Sequence, residues 1–357
     1  MQPIRHAWVG CFSHCPLQFN LNTSGGNGTL SSLLPKGKYI SKNGVINYMK
    51  RHNDTIIIAV DHGYGNMKTA NHCFPSGILA HEGEPTFLDN LLFYEDRYYT
   101  VGVGHKAYRP DKALDQDDYL LMLAGIAMEL KDAGLTEADV FLAAGLPLRW
   151  AGTQKESFRA YLLQKERVSF IFNFRKYDIR FVGCEVYPQG YAAVAAKAAE
   201  LKGTTMLCDL GNGTMNLMLL RNGRPDISRM WTEEYGVKQC VGRIKDALMD
   251  TFHEKVPEEM ITDFLIHGTA DISDEYLAVL EKAAKEYAQG VFRILREHEY
   301  NPRIMDLYVV GGGGCLLRNF ADCDKKRVAF NDDICATAKG YEQLAKLTLE
   351  KRDRYVR

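Results

Sequence analysis

The sequence predicts an α/β protein made of two related halves that face a shared cleft, and three observations predict it. Two acidic, glycine-rich turns read almost alike, "IIIAVDHGYGNMKTA" from Ile56 to Ala70 and "MLCDLGNGTMNLMLL" from Met206 to Leu220, and each follows an apolar run. From Thr55 onward the pattern is strand-rich and then helical, twice, with each half starting at one of these turns. A third glycine cluster, "VVGGGGCLLRN", joins an apolar run to a helical segment near the end.

A chain of 357 residues is too long for one compact core and suits two domains. Its 44 basic and 45 acidic side chains nearly cancel, and 46% hydrophobic residues complete a globular composition with no excess of cations for coating nucleic acid. Nine cysteines, odd in number and scattered, several inside apolar runs, fit a reducing cytoplasm. Cys11, His14 and Cys15, with His6 upstream, lack a second ligand pair at zinc-finger spacing and read as part of a loosely structured extension. The first twenty residues have no basic start followed by an apolar core, and no apolar stretch reaches membrane-spanning length, so a cytoplasmic protein is expected.

Residues 1–53 carry "NLNTSGGNGTLSSLLPKGK" and read as an N-terminal extension. Residues 54–203 form the first expected domain, 204–330 the second, and 331–357 a closing helix and tail that return to the first. Ile56 to Val60, continuously apolar and β-branched, predicts a strand buried on both faces. "FLDNLLFYEDRYYTVG" predicts a hairpin turning at Glu95 and Asp96, and Tyr119 to Ala133 a helix capped by Gly134. Val140 to Ala144 is a strand entering "GLPLRW", and strands follow from Phe170 to Val182. Pro188 is expected to open a helix reaching Leu201. Helices are predicted over Tyr235 to Phe252, Asp274 to His298 and Ala336 to Leu349, with a strand at Leu307 to Val310.

The turns have a definite chemistry. Glycines two residues apart permit positive φ and bring backbone N–H groups close to a ligand with no Cβ in the way. Such donors suit phosphate oxygens, each bond to a charged group contributing about 1.5–3 kcal/mol. Asp61 and Asp209, each at the end of a buried strand, suit Mg²⁺ held through its waters beside a polyphosphate. Lys68 lies just beyond the first turn, where the second has Asn216, so one cation serves the pair. Gly311 to Gly314 suit a backbone passing beneath a purine ring and its α phosphate. Neither a GxxxxGK[ST] loop nor a fitting Rossmann fingerprint occurs.

In this order the motifs resemble the superfamily of actin, hexokinase and the heat-shock chaperone ATPases, and within it the plasmid-segregation actins of the ParM (StbA) group, over about Thr55 to Leu347. Asp61, Gly63, Tyr64, Gly65, Asn66 and Lys68 match the first phosphate loop, and Asp209, Gly211, Asn212, Gly213 and Thr214 the second. Gly311, Gly312, Gly313 and Gly314 match the adenosine segment, and "GLP" at Gly145 to Pro147 is a feature of the plasmid branch. The resemblance implies an actin-like fold around a nucleotide cleft. It also implies ATP as the nucleotide, with GTP not distinguished, and Mg²⁺ held by Asp61 and Asp209. In "EVYPQGYAAV" it places Gln189 where the family orients the attacking water, with Glu185 as a competing candidate. An amide aligns water but hardly deprotonates it, so slow hydrolysis is implied, with Asp209 acting on metal and water.

The function implied is a filament of head-to-tail subunits that moves plasmid copies apart, reaching a centromere-like DNA site indirectly through a small adaptor of ParR type, with no membrane involved. Two departures stand out: Thr337 in "DDICATAKGY" replaces a common Asn, and the N-terminal extension has no counterpart. The rival readings are a small-molecule kinase or a monomeric ATPase on the same fold. A kinase needs an Asp base beside its substrate, which Gly145 to Val194 does not offer persuasively, and a chaperone needs a further substrate-binding domain. The basic stretches Lys325 to Arg327 and "EKRDRYVR" read as solvated surface.

Overall fold

A computed structural model describes residues 38–40, 46–86, 89–104, 116–147, 150, 152–195 and 197–356. The His6, Cys11, His14 and Cys15 cluster and most of the N-terminal extension lie outside the described residues, as do Phe87, Leu88, Leu148 and Arg149.

Strands β1 (Lys38–Ile40) and β2 (Ile46–Tyr48) form a small antiparallel pair of their own. Among the described residues the first large sheet has ten strands. Its path runs β6 (Cys73–Pro75), β5 (Asn66–Lys68), β4 (Thr55–His62), β10 (Glu137–Leu146), β12 (Arg175–Pro188), β11 (Arg167–Phe172), β8 (Leu91–Tyr94), β9 (Arg97–Val101) and β7 (Ile78–His81), with β3 (Arg51–His52) also pairing β4. β4 shows why its run is continuously apolar. Ile56, Ile58 and Val60 enter one core with helix α1 (Gln116–Asp132), while Ile57 and Ala59 enter a second core on the opposite face. Its parallel pairing with β10 sets Ile56 opposite Val140 and Val60 opposite Ala144.

The expected hairpin is β8 and β9, and Glu95 and Asp96 both take positive φ, 49° and 59°, as a two-residue turn of this hand requires. Helix α1 begins three residues earlier than Tyr119 and ends before Gly134, whose φ is +72°. Helix α2 (Lys155–Leu162) follows β10.

The helix expected from Pro188 to Leu201 is corrected. Pro188 is the last residue of β12, opposite Leu146 of β10, and the Gln189 N–H continues the ladder by donating to the Leu146 carbonyl at 2.8 Å. A proline is tolerated at a strand end, where its missing N–H breaks no ladder bond. Gly190 then turns the chain at φ +84° into a short helix, α3 (Tyr191–Ala195), and a single 3₁₀ turn at Ala198–Glu200.

The second sheet has five strands in the order β15 (Arg224–Glu233), β14 (Met215–Arg221), β13 (Thr204–Leu210), β16 (Asp306–Val310) and β17 (Val328–Phe330). Helices α4 (Val237–Phe252), α5 (Glu258–His267), α6 (Asp274–Glu297) and α7 (Gly314–Phe320) supply Ile244, Phe264, Tyr287 and Leu317 to its main core. The last helix, α8 (Ala336–Val356), returns to the first sheet, where Ala338, Tyr341 and Ala345 pack on Ile57, Ala59, Phe141 and Ala143. Among the described residues no helix is long and apolar enough to cross a membrane.

Candidate functional site

The first turn is built by the register of two strands. β4 and β5 pair antiparallel with Asp61 directly opposite Lys68, which sets the Lys68 Nζ 3.7 Å from Asp61 Oδ2. Between them Gly63 has no room for a side chain, because a Cβ there would collide with the Asn66 carbonyl. The second turn repeats this plan: β13 and β14 pair with Asp209 opposite Asn216. Asn216 is buried and accepts a hydrogen bond from Thr232 Oγ1 at 2.9 Å.

Tertiary structure then presses the two turns together. A Cβ on Gly65 would lie 2.7 Å from the Asn212 side-chain nitrogen, and one on Gly213 would lie 3.7 Å from the Tyr64 ring. The third glycine cluster closes on the second turn. Gly311, at φ +87°, passes so near that a Cβ would lie 2.6 Å from Asp209 Oδ1, and the Gly313 N–H donates to the Leu210 carbonyl at 2.9 Å. Beside these, Gly312 stands in open space and Gly314 begins α7.

Gln189 joins the acids. Its Nε2 donates to Asp61 Oδ1 at 3.0 Å, and a Cβ on the adjacent Gly190 would lie 3.4 Å from the Asp209 Cβ. Glu185, four residues earlier, is held elsewhere: its carboxylate takes Lys155 Nζ of α2 at 2.6 Å and an Arg352 guanidinium nitrogen of α8 at 2.9 Å. Thus Asp61, Lys68, Gln189 and Asp209 come together with all three glycine segments, while Glu185 clamps β12 to two helices.

The electrostatics follow from burial. Burial first, and then the charge of Asp61, pushes the Asp209 carboxyl up to about 6, while Lys68 and a hydrogen bond with Asn216 act in the opposite direction. Burial works against the Lys68 charge, but Asp61, Cys73 and Asp209 outweigh it, and the ammonium is held above its ordinary range. Two carboxylates around one ammonium leave a net negative charge suited to a cation.

Three residues at the site were not singled out from the sequence. Tyr341 is fully buried, its ring parallel to Tyr187 at 6.1 Å between centroids and its hydroxyl without a hydrogen-bond partner. That hydroxyl fills the space over Gly145, and burial together with Asp61 and Asp209 raises it well above the usual phenol range. Ser76 and Gln239 hold the carbonyls of the two turns from behind. Gly145, in "GLP", hints at Tyr341, and Gln239 stands three residues after Gly236 at the capping-box position of α4, whereas no local pattern marks Ser76.

Residues 59–191, which include the first turn, Lys68 and Gln189, match the family described as actin-like proteins, N-terminal domain. A comparison with curated proteins found no sequence match. Among solved structures the chain is similar to the apo psk41 ParM protein, at 17% identity and a TM-score of 0.64, over 84% of this chain and 99% of that one. The archaeal actin homologue Ta0583 in complex with ADP superposes with a TM-score of 0.66 at 15% identity, over 82% and 99% of the two chains. Alp12, in its filament structure, gives 0.60 at 15% identity, over 83% and 99%. The chain has the actin-like fold. That fold is shared alike with a ParM protein, an archaeal actin homologue and Alp12, and the resemblance drawn from the turn motifs holds at the level of the fold.

Proposed function

We propose that this chain is a Mg²⁺-dependent ATPase that assembles into filaments and segregates plasmid DNA through a DNA-binding adaptor of ParR type. The observation that carries the reading is the convergence of Asp61, Lys68, Gln189 and Asp209 on two facing glycine turns. The turn N–H groups and Lys68 bind the phosphates, and Gly311 to Gly314 support the nucleoside. Asp61 and Asp209 would hold Mg²⁺ through its waters; when bound, the ion offsets the charge of the phosphates.

Gln189, hydrogen-bonded to Asp61, is the water-orienting group in this reading. Glu185 is the weaker candidate because Lys155 and Arg352 already occupy its carboxylate. The separate cores of the two sheets support two domains, though Met49 and β3 already belong to the first ahead of residue 54 and Val194 packs against the second sheet ahead of residue 204. The packing of α8 on β4 and β10 supports the return of 331–357 to the first. Self-assembly is supported by the fold shared with Alp12, and ATP by the fold shared with an ADP-bound homologue. An indirect link to DNA accords with the near-zero net charge, and a cytoplasmic location with cysteines that are odd in number and scattered.

Light scattering and phosphate release, followed in one sample with Mg²⁺ and either ATP or GTP and then by electron microscopy, test the reading. Scattering should rise above a critical protein concentration and fall as phosphate appears. Turnover without polymer would overturn the filament assignment and favour a kinase or monomeric ATPase. Gln189→Ala should still assemble but release phosphate about 10- to 100-fold more slowly, the cost of losing a positioned water. Filaments of the variant that turn over at the parent rate would remove Gln189 from the mechanism.

A further inference from the structure

We propose that Ser76 and Gln239 are a matched pair of positioning residues, each fixing the peptide planes of one glycine turn so that its N–H groups are presented to phosphate. The inference rests on the nucleotide reading above. It starts from a problem the glycines create: the residues that let the backbone approach a ligand also leave the peptide planes free to rotate. A turn that must present several N–H groups at once needs something to stop that rotation.

In the second turn three consecutive carbonyls are bound from one side. Gly211 O accepts from the Val237 N–H at 3.1 Å and Asn212 O from the Lys238 N–H at 2.8 Å. Gly213 O accepts from Gln239 Nε2 at 3.1 Å, and the Gln239 Oε1 in turn accepts from the Gly236 N–H at 2.9 Å. The Gly236 carbonyl is itself fixed by the buried Tyr287 hydroxyl at 2.6 Å. The start of α4 therefore acts as a backing for the turn. In a planar trans peptide the N–H of the next residue points opposite to the carbonyl. With all three carbonyls drawn toward α4, the N–H groups of Asn212, Gly213 and Thr214 point away from it.

The first turn meets the same need with different residues. Ser76, 1% exposed, donates its hydroxyl to the Tyr64 carbonyl at 2.6 Å and its backbone N–H to the Gly65 carbonyl at 3.0 Å. By the same geometry the N–H groups of Gly65 and Asn66 face the other way. One side chain behind each turn thus supplies the bond that the backbone ladder does not: the Ser76 hydroxyl to Tyr64, and the Gln239 amide to Gly213.

Titration calorimetry on the full chain with Mg²⁺ separates this role from a merely structural one. The probes are ATP, ADP and adenosine, with GTP, GDP and guanosine alongside, and the variants are Ser76→Ala, Gln239→Met and their combination. Each single variant should weaken di- and triphosphate binding about five- to tenfold, the worth of one misdirected hydrogen bond, and leave the nucleoside unchanged. The double variant should show roughly the product. An equal loss for nucleoside and nucleotide, or no loss for either, overturns the proposal. Should Ser76→Ala fail to fold, Gln239→Met alone decides it, because that side chain is only partly buried. A parent chain that binds no nucleotide of either base overturns the nucleotide reading and this inference with it, whereas tight parent binding with indifferent variants overturns this inference alone.

Discussion

Asp209→Asn is expected to lose nearly all phosphate release while melting at a higher temperature than the parent at pH 7.5. Both effects come from one feature, a carboxylate held in a cleft that disfavours its charge. Folding lifts its pKa from an ordinary 3.8 to about 6, first through burial and then through Asp61. A carboxyl raised in this way binds its proton more tightly in the native state than in the unfolded chain. Stability therefore falls as pH rises from about 4 to about 6, and above that range the native state carries the full cost of ionisation. Asparagine keeps the shape and can still accept from Asn216, but it carries no charge. The gain at pH 7.5 is about 1–3 kcal/mol, the upper figure being the full rise from 3.8 to about 6 and the lower one allowing for the partial exposure of the group. It should vanish below about pH 4, where the parent carboxyl is protonated in both states. Phosphate release should fall by about 10²–10³, the usual loss when a charged group aimed at the transition state is removed. Melting curves from pH 4 to 8, with phosphate release at pH 7.5, check both halves. Turnover within a few-fold of the parent would take Asp209 out of the mechanism, and a lower melting temperature at pH 7.5 would show that its charge is stabilised rather than tolerated.

How much of this was legible in the sequence depends on how far apart the interacting residues lie. β4 could be read because both faces of the strand are buried, so Ile56 to Val60 show no polar alternation. Each turn could be read because Asp, two glycines and the return strand lie within about eight residues, and an antiparallel register then sets Asp61 against Lys68 and Asp209 against Asn216. The choice between Gln189 and Glu185 could not be made locally. The proposed preference for Gln189 rests on Lys155 and Arg352, 30 and 167 positions away, which occupy Glu185, and on the hydrogen bond from Gln189 to Asp61. Pro188 misled for a related reason: a proline suits the first turn of a helix or the end of a strand, and only the pairing with Leu146 decides. Helix α5 is absent from the sequence expectations, although Ile261, Phe264 and Leu265 make a helical stripe closed by Gly268, because its ten residues, under three turns, give a weak signal. The expectation of two related halves holds for the turns and their strands. It does not extend to the whole sheets, because β7, β8, β9 and β11 widen the first to ten strands while the second stops at five.

Gly145→Ala, a change of one methyl group, is expected to be among the most damaging substitutions in the first half. Gly145 lies in β10 opposite Tyr187, and its open face is filled by the Tyr341 ring of α8. A Cβ there would overlap the hydroxyl oxygen and Cζ of Tyr341 and lie 2.8 Å from its Cε2. The ring cannot swing clear, being fully buried and stacked on Tyr187. Nor can α8 slide toward α3, because Gly340 already packs against the Ala192 carbonyl with no room for a side chain. The strand or the helix must therefore give way, at a cost of about 3 kcal/mol, the upper end for overpacking a core. The damage reaches the site as well, since the next residue of β10, Leu146, accepts the N–H of Gln189 and so helps to place the amide beside Asp61. Denaturant unfolding should show the loss of stability, and phosphate release measured well below the melting temperature should show slower turnover. Tyr341→Leu separates the clash from a general weakening. Alone it destabilises by leaving a cavity, but in the Gly145→Ala background it removes the distal ring atoms that the new methyl meets. The double variant should then be at least about 1 kcal/mol more stable than the sum of the two single effects predicts. Strict additivity would mean that Gly145 is needed for some reason other than the room it leaves for Tyr341.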